Sequence, residues 1–150
     1  MVMNEVYKRQ LSNRQIYDLI TEKKLNRWGN RPGYYSPLTE EWIDEDQLMI
    51  ICDAASPKDI YDLHSLGLRT APCHKEAGCV IYRLRWMQHR RIIIDPGRCP
   101  NAAREFQNYC YDVDKRTGEI LSSVPDRDNH TIDAAAYALN NCIYRSDNPV

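Results

Sequence analysis

The segment DRDNHTIDAAAYAL, residues 126–139, sets Asp126, Asp128, His130 and Asp133 within eight positions, directly ahead of an Ala-rich apolar run. Carboxylates and an imidazole at this density can hold a hard divalent cation or move protons. With Asp128 or Asn129 as N-cap, His130 and Asp133 share one face of the first helical turn. Ile132, Ala135, Ala136 and Leu139 then form the other face. The helix dipole and free backbone amides account for one acid at the helix start, Asp126 or Asp128. They do not account for Asp133, a turn into the helix and next to alanines that allow close packing. A carboxylate there is costly to bury unless it is paired or bound to a metal. Mg²⁺ and Mn²⁺ favour oxygen ligands, and two such ions about 3.5–4 Å apart can activate water for phosphodiester hydrolysis.

Asp53 is the second candidate. It follows the apolar run LMIIC, and in open α/β sheets ligands bind beyond the carboxyl ends of strands. The competing reading of Asp-Ala-Ala-Ser-Pro is a turn leading into a helix cap.

The elements that must position these acids follow from periodicity. A short strand is expected at NEVYKRQ, then a helix over 13–24 behind a Ser12/Gln15 capping box. Residues 26–46, rich in Gly, Pro and polar side chains, read as an insertion or loop with a helical turn near Thr39 to Ile43. Its Trp28, Tyr34, Tyr35 and Trp42 read as cover for a core edge. LMIICDAAS has the continuous apolar run of a strand covered on both faces. A helix follows, capped by Ser56, with Pro57 at its first position and Gly67 at its end. LRTAPC and RIIIDP are further strands, and AGCVIYRLRWMQHR is a helix with Val80, Leu84 and Met87 on one side. Pro100 opens a helix through Phe106, a hairpin turns at Thr117 and Gly118, and the last helix runs from Asn129 to Cys142. Strands alternating with helices imply an α/β sheet with parallel members.

With 150 residues, 43% hydrophobic and 27% charged, the chain has one domain's worth of core. The net charge of −1 conceals a basic stretch, Lys75, Arg83, Arg85, Arg90, Arg91 and Arg98, set against acids from Glu40 to Asp46. Neither a membrane span nor a signal peptide is legible, so the six cysteines are expected to be free thiols in a reducing compartment, with Cys52 and Cys142 in the core. A zinc reading of Cys73, His74 and Cys79 is disfavoured, because the spacing is unlike a C-x₂₋₄-C knuckle.

In order along the chain, IICDAASPKDIYDLHSLGL, HKEAGCVIYRLRWMQ, IIIDPGRCPNAAREFQNYCYDVDKRTGEI and DRDNHTIDAAAYAL closely resemble the C-terminal nuclease domain of the large terminase subunit of tailed bacteriophages. That resemblance implies an α/β, ribonuclease-H-like mixed sheet flanked by helices, covering residues 1–145 with 146–150 as a tail. It also implies two-metal cleavage of double-stranded DNA during genome packaging, with Mg²⁺ or Mn²⁺ as cofactor. The family's central-strand Asp lands on Asp53 and its final-helix acid on Asp133, with His130 beside the metals. Asp128 stands between supporting ligand and helix cap, and the cap is preferred. Lys75 matches a family Lys facing the active site, while Arg83 and Arg85 divide between DNA contacts and a solvated helix face.

Departures from the family pattern qualify this. The family's first ligand, an Asp on an initial strand, has no match here, and no G-x-x-x-x-G-K-[ST] loop of its ATPase portion is present. Ala136 replaces the usual Arg, and Gly78-Cys79 the usual Gly-Ser. The expectation is therefore an N-terminally truncated nuclease domain with impaired activity alone; the alternative is a catalytically silent prophage remnant or assembly piece needing an upstream chain. Implied partners are the terminase ATPase portion, the small subunit and the portal, in the bacterial host cytoplasm, with self-association possible through an exposed sheet edge.

Overall fold

The structure is a computed structural model that describes residues 2, 5–22, 27–28, 31–32, 34–36, 41–43 and 49–145. Two compact units divide the chain, one of residues 6–74 and one of residues 1–5 with 75–150.

In the 6–74 unit, α1 spans Asn13–Glu22. Its capping box forms as expected: the Ser12 N–H donates to Gln15 Oε1 at 2.9 Å and the Gln15 N–H to Ser12 Oγ at 3.3 Å. Segment 26–46 supplies two small antiparallel pairs, β1 (Arg27–Trp28) with β2 (Arg31–Pro32) and β3 (Tyr34–Ser36) with β4 (Glu41–Ile43). The helical turn expected near Thr39 to Ile43 is thus strand at Glu41–Ile43, where Ile43 registers with Tyr34. The core-edge role expected for the aromatic side chains of this segment lies outside the described residues.

β5 (Ile50–Cys52) pairs in parallel with β6 (Thr70–Pro72), joined by α2 (Pro57–Ser65). This is a strand, crossover helix and parallel strand, as the alternating pattern requires. Pro57 opens α2, where its missing N–H costs nothing. The helix ends in a Schellman motif: Leu68 N–H donates to the Leu63 carbonyl at 3.2 Å and Gly67 N–H to that of His64 at 2.9 Å. Gly67 has φ +105°, open to glycine and strained for other residues. Leu63 is the buried anchor of α2, and β5 is half-buried rather than covered on both faces. Asn13 ties α1 to α2 through Asp59 and Asp62.

The other unit is built on four helices: α3 (Cys79–Gln88), α4 (Pro100–Asn108), α5 (His130–Ala138) and α6 (Asn140–Arg145). Met87, Ile132 and Ala136 form its core, with Leu84, Phe106 and Tyr109 packed around them. Fully burying a side chain such as Ile132 is worth about 1.5–3 kcal/mol, so this cluster fixes where α5 sits. The apolar stripe of α3 is offset from expectation, because Val80 is exposed while Arg83 and Met87 are buried.

Among the described residues RIIIDP forms one parallel bridge, Ile94 with Val2, the Val2 N–H donating to the Ile93 carbonyl at 2.9 Å, and residues 5–10 of the expected strand NEVYKRQ are not strand. Glu5 instead serves α4: its Oε1 accepts from the Asn101 N–H and Nδ2 at 3.0 and 2.7 Å, and its Oε2 from the Ala102 N–H at 2.9 Å. Burial acts to raise its pKa, but these three hydrogen bonds outweigh it and hold the carboxyl below its ordinary value. The hairpin turns as expected around Gly118, at φ +75°, with Val113 bridged to Ile120. The last helix breaks at Leu139, whose carbonyl accepts from both Cys142 and Ile143. Cys142 is exposed, not in the core, because the restart as α6 turns Ile143 inward instead.

Candidate active site

Asn129 is the N-cap of α5, and its carbonyl accepts from the Asp133 N–H at 2.8 Å. Its side chain does not cap the helix. It turns to the acid one turn on, Asn129 Nδ2 donating to Asp133 Oδ2 at 3.2 Å. Asn129 is buried and Asp133 half-buried, so the carboxylate is held by a fixed amide while keeping access to solvent. His130 is exposed at the first helical position.

The cap expected from Asp128 is not made by that residue. Asp128 is exposed, with φ +51°, in the left-handed region that Asp tolerates better than most residues. One first-turn amide is satisfied from another helix: Glu105 Oε2, on α4, accepts from the Thr131 N–H at 2.7 Å and from Thr131 Oγ1 at 2.5 Å. Glu105 is only 3% exposed. It had no legible signal, because an acid in PNAAREFQN reads as a surface helix position and its partner lies 26 residues on. Nearby, the Tyr109 hydroxyl donates to the Pro125 carbonyl at 2.8 Å. Burial pushes its phenol pKa up, a hydrogen bond from Asn129 opposes this, and the charges of Asp133 and Asp126 add to the rise.

Asp53 directly follows β5, exposed, where the sequence places it. Its Oδ1 accepts from the Ala55 N–H at 2.8 Å, which pins the turn into α2.

Among the basic candidates Lys75 and Arg85 are exposed. Arg83 is not on the surface. It is 2% exposed and its guanidinium lies 5.3 Å from the Tyr137 ring centroid, so it is withdrawn as a phosphate contact.

Carboxylate donors such as Asp53 and Asp133 suit Mg²⁺ or Mn²⁺. Among the described residues, however, no three His, Cys, Asp or Glu side chains converge to hold an ion.

A family model described as Terminase RNAseH like domain matches residues 1–141. The chain belongs to that family. A curated relative, the terminase large subunit of Bacillus phage SPP1, is 41% identical over 94 residues, covering 60% of this chain and 22% of the relative. The chain thus spans about a fifth of that relative's length. Among solved structures, the large terminase nuclease domain from bacteriophage SPP1, crystallised with bound Mn, superposes with a TM-score of 0.70 at 29% identity. The likeness covers 93% of this chain and 69% of that one. The expected ribonuclease-H-like mixed α/β fold therefore holds for this terminase domain. No helix among the described residues is long and apolar enough to cross a membrane.

Proposed function

We propose that this terminase domain is the nuclease module of a phage DNA-packaging motor and cuts double-stranded DNA during genome packaging. The observation that carries the reading is likeness over nearly the whole chain to a nuclease domain solved with bound Mn. Asp53 and Asp133 are the proposed ligands for Mg²⁺ or Mn²⁺, with His130 beside them and Asp128 outside the ligand set. Lys75 and Arg85 are the proposed phosphate contacts, which makes DNA binding weaken as salt rises. Residues 1–145 form the domain, its partners are the ATPase portion, small subunit and portal, and it works in the host cytoplasm.

The chain's own contributions are local. Asn129 orients Asp133, the Asp53 turn sets that carboxylate at a strand's carboxyl end, and the basic side chains hold DNA. Conversion of supercoiled plasmid in Mn²⁺ tests the reading. Cleavage by the wild-type chain, abolished by Asp53→Ala or Asp133→Ala, supports it, and unchanged cleavage by either variant removes that residue from the ligand set.

A second reading, a silent piece completed by an upstream segment, is favoured by an apolar groove of about 840 Å³ in the 75–150 unit. Leu84, Met87, Ile92, Ile94, Phe106 and Ile132 line it, as do the exposed Val113 and Ile120. An extended apolar strand carrying a further carboxylate suits this groove; self-association there is the competing occupant. Cleavage that appears only when upstream polypeptide is added selects the second reading.

A further inference from the structure

We infer that Glu105 is a positioning residue for Asp133, acting through Thr131; the inference rests on the ligand reading of Asp133. A helix ordinarily satisfies its first amides with the side chain of its own N-cap. In α5 the Asn129 side chain is committed to Asp133 Oδ2 instead, and the capping acceptor comes from α4. The Glu105 carboxylate takes both donors of Thr131, two residues before Asp133, on a single oxygen. Capping and acid orientation are thereby divided between two side chains, Glu105 holding the turn and Asn129 holding the acid.

Burying a carboxylate is expensive, and a packed apolar residue would serve α4 equally well if core filling were the only requirement. The negative charge of Glu105 lies at the positive end of the α5 dipole, where it is favourable. α4 is in turn fixed by Glu5 at its own N-terminus, so two carboxylate contacts in series connect residue 5 to the first turn of α5. Loosening the Thr131 contact frees that turn, and with it the direction of the Asp133 carboxylate.

Thr131→Val tests this in the full chain, since it keeps shape and backbone amide but removes the hydroxyl donor. Glu105→Gln is the second variant and Thr131→Ser the rescue. Fold is checked by circular dichroism, the α5 turn by amide hydrogen exchange at Asp133, and the acid by Mn²⁺-induced broadening of α5 amide resonances. The inference predicts native spectra, faster exchange at Asp133, and a broadening midpoint raised about tenfold in Thr131→Val and Glu105→Gln, restored in Thr131→Ser. Midpoints within about twofold of wild type in both variants would overturn it, since a positioning partner of a ligand costs more than that. Failure of the underlying reading looks different: no broadening around α5 in the wild type, or an unchanged midpoint in Asp133→Ala, removes Asp133 as a ligand and this inference with it.

Discussion

Asn129 and Glu5 are the residues whose replacement separates structure from chemistry. The Asn129 side chain donates to Asp133 Oδ2, so on the proposed ligand role of Asp133, Asn129→Ala is expected to cut Mn²⁺-dependent cleavage about tenfold or more, as loss of a ligand's supporting contact does. Its effect on DNA affinity should be small, and filter binding without metal checks the difference. Glu5 caps α4. Replacing Glu5 by Ala should lower unfolding free energy by about 1–2 kcal/mol in denaturant titration, the range for lost helix caps. The pH dependence has a definite sign. The folded carboxyl titrates below the ordinary 4.5, so its stabilisation is fully present above pH 4.5 and is lost as pH falls through the depressed value. The stability gap between wild type and Glu5→Ala should accordingly close on acidification below pH 4.5; a gap that widens there contradicts the assignment.

At the level of elements, α5 is both the core's anchor and the carrier of the acid. Ile132 is 2% exposed and packs with Met87 and Ala136. Ile132→Ala should cost about 2–5 kcal/mol by calorimetry or urea titration, since it removes a buried methyl-rich side chain and leaves a cavity. The helices were legible where local chemistry sets them: the Ser12/Gln15 box, Pro57 and Pro100 at first positions, Gly67 at a helix end. Strands were less legible. RIIIDP is as apolar as a strand should be, yet pairing is a property of the partner, and among the described residues only Val2 pairs with it, at Ile94. NEVYKRQ failed for a related reason, because Glu5 found unsatisfied amides on α4, 96 residues away, and no period in the local sequence records that. The same limit hid Glu105. His130 and Asp133 stand out locally by residue type and short spacing, and Asp53 by following an apolar run, while the Glu105 contact to Thr131 crosses the fold. Arg83 shows the converse error, a charge read as surface that in fact sits over Tyr137 inside the helix layer.

For the whole molecule, the proposed activity depends on acids carried by different segments of the chain. The match to the terminase family and the likeness to a manganese-bound nuclease domain support the proposed divalent-metal cleavage of DNA. The direct measurement is the rate of supercoiled plasmid conversion in Mn²⁺ by wild type, Asp53→Ala and Asp133→Ala, each assayed alone and with the upstream polypeptide added. The account predicts conversion by wild type in at least one of these conditions, stopped by chelator and abolished by either substitution in proteins that keep the wild-type circular dichroism spectrum. Wild-type conversion rates in both variants, or no conversion by wild type under either condition, would contradict it.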